Sequence, residues 1–254
     1  MTAALIARNT FREATRDRVL AGMAVAGIVF QLAVQVLTPL ALGEEKRLIV
    51  DLGLSSISFL GLLVVLMVGT QLVAKEIERR TIFSLLSRPI ARPTYLIGKW
   101  AGLTAAVWTI AALLGLALWV VMAARGSASY GPAIAQATYL AALELAVVTA
   151  IAVMFSALST PVLSALYTLG LFCVGQWSDD LRSFAQHFPP GLARVTEIIA
   201  NAVPNLPLFN MRVLATGGEM TSIGHLVIAT AYALLYCGCV LALGAAAFES
   251  RDFK

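Results

Sequence analysis

Charge is what this chain has least of. Only 13% of its 254 residues are Asp, Glu, Lys or Arg and 59% are hydrophobic, against about 25% charged residues in soluble domains. A soluble domain of this length would still need a charged surface, and here long windows contain no charge at all. That shortage excludes a water-soluble globule and identifies an integral membrane protein. The net charge of +4 accordingly reports loop orientation rather than affinity for nucleic acid, and no nucleic-acid partner is expected.

Other shortages narrow the chemistry. There are two histidines, His187 and His225, with no HExxH pair and no Cys/His cluster at metal-ligand spacing, so no metal site is expected. No GxxxxGK[ST] phosphate loop is present, which excludes that mode of ATP binding on this chain. The GLSS at Gly53 to Ser56 offers a serine within an apolar run, but no histidine sits in a span where it could clearly act as its base, and no catalytic residue is assigned. Cys173, Cys237 and Cys239 all sit in apolar segments. Two positions on a helix subtend about 200°, so Cys237 and Cys239 point to different faces and read as packing residues. The seven methionines fall singly within spans, without a repeated soft-metal pattern.

What the chain does contain is long apolar runs: Val19–Leu42, Leu52–Ala74, Tyr95–Ala124, Ile134–Leu158, Pro161–Trp177 and Ile223–Phe248. A helix needs roughly 20 residues to cross the hydrocarbon core, so these predict six transmembrane helices in an all-α protein, the fifth being the shortest. The first run is long enough to span and its flank too charged for a cleaved secretory signal. If the six crossings alternate, twelve of the eighteen Lys and Arg residues fall on the side of both termini and six on the other. The positive-inside rule then places both termini in the cytoplasm.

Three segments do not span. Thr10–Arg18, TFREATRDR, alternates charge at helical spacing and predicts an amphipathic helix on the inner leaflet, in contact with lipid and carrying Arg12, Glu13 and Arg16. GEEKRLIVDLG, Gly43 to Gly53, is expected as a short polar link outside. The long outer segment, residues 178–222, contains FPPGLARVTEIIANAVPNLPLFNMR. There Leu192, Val195, Ile198, Ile199, Ala202 and Val203 recur at helical spacing while prolines forbid a continuous span, predicting one or two short helices on or dipping into the outer leaflet.

Two features carry the functional reading. Glu144 is the only acid within the six apolar runs and falls near mid-bilayer, where a carboxylate must face protein or a cavity. It reads either as a polar lining or conformational latch, or as a hydrogen-bonding group to a neighbouring helix through Gln31 or Gln35. The second feature is KEIERRTIFSLLSRPIARPTYLIGKW, Lys75 to Trp100, which gathers six of the eighteen basic residues. From Glu76 to Ser87 it suits a short helix with Ile77, Thr81, Leu85 and partly Ile82 and Leu86 along one side. Pro89 ends that helix and Pro93 pre-sets the turn into the third span. A juxtamembrane loop touching anionic headgroups is the plainer interpretation of the basic residues alone.

The order of motifs decides between them. E-x-E-x-R-T, then L-L-S-R-P, then R, Y and G-K at the start of the next span resembles the ABC-2 type transporter permeases, the membrane subunits of type-2 ATP-binding cassette transporters. NTFREATRDRVL, VDLGL, VPNLPLFNMR and FESRDFK extend the resemblance over the chain, closest to small six-span permeases such as those serving copper-enzyme maturation.

The resemblance implies a single permease domain over 1–254, with 1–18 as a cytoplasmic elbow, 75–93 as a cytoplasmic coupling loop and 178–222 as an outer loop of short helices. It makes Glu76, Glu78, Arg80, Thr81, Leu85, Leu86, Arg88 and Pro89 the residues that seat on a separate cytoplasmic ATPase, which holds ATP and Mg. It implies a homodimer, or a pair with a related permease, in a bacterial or archaeal inner membrane, and it leaves the cargo open. Other classes are a scaffold or mechanotransmitter driven by an ATPase, a membrane-embedded hydrolase, and a self-sufficient carrier. A carrier would show inverted repeats or several intramembrane charges.

Overall fold

In hydrocarbon no water satisfies the backbone, and an α-helix closes its N–H and C=O groups within one segment. The computed structural model describes residues 3–41, 43–72, 92–185, 194 and 202–249, and no strand occurs among them. The helices are α1 (Ala3–Arg16), α2 (Arg18–Leu37), α3 (Glu45–Val68), α4 (Arg92–Ala124), α5 (Gly131–Leu158), α6 (Pro161–Gln176), α7 (Ser178–Ala185), α8 (Arg212–Thr216) and α9 (Ile223–Glu249). The helices α2, α3, α4, α5 and α9 are long and apolar enough to cross a membrane. With 16 residues α6 is about 24 Å long, short of the roughly 30 Å hydrocarbon core.

The helix at the centre is α5, buried along nearly its whole length. Its AALELAVVTAIAV run has apolar residues on every side and many alanines, which lets neighbours approach closely. Against it α4 runs antiparallel, with the indoles of Trp100 and Trp108 donating to the carbonyls of Ala146 and Ala142 at 3.0 and 2.7 Å. In parallel to α5, α9 meets it at Tyr139 and Thr230, 2.9 Å apart. Ser156 donates to the Thr70 carbonyl, just beyond α3, at 2.8 Å. The ends of α3, α5 and α9 and the start of α4 therefore share one face with α1, termed the α1 face. On the opposite face Arg125 pairs with Glu45 at 3.0 Å and donates to Thr38 at 3.0 Å, tying together the ends of α4, α3 and α2.

Two boundaries differ from the expectation. The amphipathic helix spans Ala3–Arg16 rather than beginning at Thr10. It breaks at Asp17, whose side chain caps α2 by accepting from Val19 N at 2.9 Å. Its buried stripe of Ile6, Thr10 and Ala14 rests on α4, while Arg12, Glu13 and Arg16 stay exposed. The packing is tight because α4 presents Gly98 and Gly102 there: a Cβ at Gly98 would lie 2.7 Å from Ile6 Cβ, and one at Gly102 would fall onto the Ala7 carbonyl oxygen. The second change is that the expected polar link 43–53 is mostly helix. From Glu45 onward it forms the first turns of α3, because Ile49 and Val50 bury one side completely while Lys46 and Arg47 remain outside.

Candidate functional site

The polar groups of the bundle converge halfway along α5. Glu144 lies about 20 Å from the start of that helix and about 21 Å from its end at 1.5 Å per residue, and it is 4% exposed. Because α6 is short and antiparallel to α5, its last residue arrives at this depth. Gln176 donates its amide to the Glu144 carboxylate, and Ser58 of α3 lines the same cleft. The guanidinium of Arg212 adds its positive charge beside the pair.

Arg212 reaches that position because the segment before it descends between the helices. Asn205 N donates to the Tyr232 hydroxyl of α9 at 2.8 Å. Leu206 is completely buried over Gly175, where a Cβ would lie 3.0 Å from it. A 3-10 turn, Pro207–Phe209, buries Phe209 with its ring 6.1 Å from that of Tyr232. Asn210 Oδ1 then accepts from Arg212 N at 3.3 Å and starts α8. Arg212 Nη1 donates to Ser55 Oγ at 2.9 Å, at a point about 15 Å along α3 from its Glu45 end. The cluster is therefore well inside the bilayer.

Glu144, Gln176, Ser58, Asn210 and Arg212 line a cleft of about 10 Å³, room for about one water centre. The last four of these also line an open groove of about 640 Å³ bounded by α2, α3, α6 and α8, with Phe30, Phe59 and Phe172 on its walls. This is an arrangement for holding polar groups in hydrocarbon. A buried carboxylate with a neutral donor and a nearby cation is compensated, and the polar side chains around it line a groove whose walls are otherwise largely apolar.

Of the residues singled out in the sequence, Glu144 stands at the centre of this cluster. Its partner is Gln176 rather than Gln31 or Gln35. Gln31 instead turns toward α3 and α4, donating to Ser56 Oγ at 3.4 Å and the Leu114 carbonyl at 3.2 Å, and Gln35 donates back to the Gln31 carbonyl. Ser56 gives its own proton to the Gly53 carbonyl at 2.6 Å, a packing role, and His225 pairs with the Leu208 carbonyl at 2.9 Å. Cys237 is buried and Cys239 exposed, on different faces as expected. Among the described residues no group of three His, Cys, Asp or Glu side chains could hold a metal. The coupling residues Glu76, Glu78, Arg80, Thr81, Leu85, Leu86, Arg88 and Pro89 lie outside the described residues, as does most of the apolar stretch 192–201.

Ser58, Gln176 and Arg212 went unassigned in the sequence. The signal was faint: Gln176 is the one amide in the fifth apolar run, and Arg212 closes the VPNLPLFNMR motif.

The profile of the ABC-2 family transporter protein family matches residues 4–253, which takes in nearly the whole chain. The chain belongs to the ABC-2 family of transporter proteins. No curated protein matches it. As an ABC-2 family member it is a multi-pass membrane protein and the membrane component of a transporter system. The Glu144 cluster is thus a polar site in the interior of an ABC-2 transporter component.

Proposed function

We propose that this ABC-2 family protein is the permease subunit of an ABC transporter, pairing with a second copy to enclose a pathway and coupled to ATP hydrolysis on a separate cytoplasmic subunit. The observation that carries the reading is the groove between α2, α3 and α6, whose wall includes Gln176, Asn210 and Arg212 at membrane depth. Polar side chains at that depth must face protein or water, so the groove calls for a cover other than lipid. A second copy set against it turns two half-grooves into one passage.

The twelve-to-six distribution of Lys and Arg supports a cytoplasmic α1 face. The segment 73–91 joins the end of α3 to the start of α4 on that face, where an ATPase that binds ATP and Mg would meet Glu76 to Pro89. Closure of the ATPase then shifts rigid helix groups between two packed arrangements, and pumping follows where cargo affinity differs between them. The docking of α1 on Gly98 and Gly102 makes the elbow move with α4.

The test is cross-linking between copies in a cysteine-free background, with single cysteines at Phe30 or Phe59 on the groove wall. The expected result is a disulfide-linked dimer from these positions and none from Leu235 on the exposed face of α9. The dimer should co-purify with its ATPase and stimulate hydrolysis. Cross-links from Leu235 alone would reject the groove as the pathway wall.

A further inference from the structure

Resting on the permease reading, we infer that the groove takes an amphiphile with an anionic, acceptor-rich head group, bound by Arg212 and its neighbours. The donor count at the polar end points to this chemistry. Arg212 carries five N–H donors and gives Nη1 to Ser55. Ser55 accepts that bond and keeps its own hydroxyl proton to give. Asn210 uses Oδ1 to accept from Arg212 N, which turns its amide N–H₂ into the donor side. Gln176 spends its amide on Glu144. The polar rim of the groove therefore offers more donors than acceptors, and a cationic head would meet the guanidinium.

Glu144 does not reverse this. It is 4% exposed, its carboxylate accepts from Gln176, and it is not on the groove wall. Arg212, held by Ser55 and half-buried, is the charge that a ligand in the groove meets.

The rest of the groove suits a hydrocarbon tail. Phe30, Phe59, Phe172 and Leu62 form its walls, and its volume of about 640 Å³ falls within the roughly 300–1,000 Å³ of small-molecule sites. Exposed Asp51 marks the edge of the hydrocarbon on α3, and Ser55, which anchors Arg212, lies about 6 Å further along that helix. A head bound at Arg212 therefore sits just below the edge of the core, with its tail directed toward the phenylalanines of the groove.

The experiment uses the full chain in nanodiscs of neutral phosphatidylcholine, with radiolabelled dodecyl phosphate as probe and empty nanodiscs as background. Dodecyltrimethylammonium and inorganic phosphate serve as competitors. The expected result is saturable binding that the cationic amphiphile fails to displace and that inorganic phosphate displaces only at concentrations at least a hundredfold higher. Arg212→Gln should weaken binding at least tenfold. The paired change Glu144→Gln with Arg212→Gln, which leaves no unpaired buried carboxylate, should weaken it equally, and Ala26→Trp, on the exposed groove wall, should abolish it by filling the space.

Linear partitioning without saturation overturns the inference, as do equal binding by the Arg212 variants, equal displacement by the cation, or displacement by inorganic phosphate as effective as by dodecyl phosphate itself. Dimer formation and ATPase co-purification are measured on the same preparations. Loss of those with dodecyl phosphate binding retained counts against the permease reading alone, and the converse counts against the ligand class alone.

Discussion

Gln176, the last residue of α6, donates its side-chain amide to the carboxylate of Glu144 at the midpoint of α5. One hydrogen bond thus marks where a short helix stops and where a carboxylate buried among the spanning helices is satisfied. The chain beyond α6 begins inside the bilayer, and this brings the loop residue Arg212 within reach of α3.

The first prediction concerns this bond. Gln176→Ala removes a donor from a buried carboxylate and should cost about 1–3 kcal/mol of stability. Glu144→Gln should leave assembly largely intact, since a neutral amide can still hydrogen-bond to Gln176, whereas Glu144→Lys should disrupt it by placing an ammonium beside Arg212. Thermal unfolding of the purified variants measures all three. Equal stability of the Gln and Lys variants would show that the site is hydrated and tolerant.

The elbow is tested at Gly102, where any Cβ falls onto the Ala7 carbonyl oxygen. Gly102→Val should lift α1 from α4 and speed tryptic cleavage at Arg12 and Arg16 several-fold. Gly22→Val, at a position where an added Cβ meets nothing within 4 Å, should leave the digestion pattern unchanged. Identical cleavage rates in the two variants would mean that α1 is held by lipid rather than by α4.

For the proposed coupling segment, Leu85→Ala or Leu86→Ala should cost on the order of 1–3 kcal/mol of association with the ATPase. Arg79→Ala should cost less than about 1 kcal/mol, and Glu76→Lys with Glu78→Lys should impair coupling more than expression. Co-purification and transport-linked ATP hydrolysis in the reconstituted pair are the readouts. Full partner binding by the leucine variants, with loss of membrane attachment in arginine variants, would instead identify a headgroup anchor.

Orientation follows from labelling. Introduced cysteines near Glu45 and Ser127, at the ends of α3 and α4 opposite α1, should react with an impermeant reagent from outside. Those near Ser84 and Asp252 should stay protected until the membrane is opened. The reverse pattern would invert the topology.

The sequence by itself determined that this is a helical membrane protein, where its long apolar helices lie, and that Glu144 needs a partner. Each of these follows from a local rule: no charge over the length of a span, motif order along the chain, and the cost of a carboxylate in hydrocarbon. It did not determine the partner. Gln31, Gln35 and Gln176 are equally polar and each sits in an apolar run, and the choice depends on where the helices stand in depth relative to one another. That register comes from contacts such as Ser156 with Thr70 and Trp108 with Ala142. The start of α3 at Glu45 and the docking of α1 on Gly98 and Gly102 were hidden for a related reason. In a bilayer the lipid is as apolar as a neighbouring helix, so hydrophobic pattern marks which residues leave water but not which helix face meets protein. Only the packed tertiary structure decides that, through close approach at glycines and alanines and through polar groups that must find one another away from water.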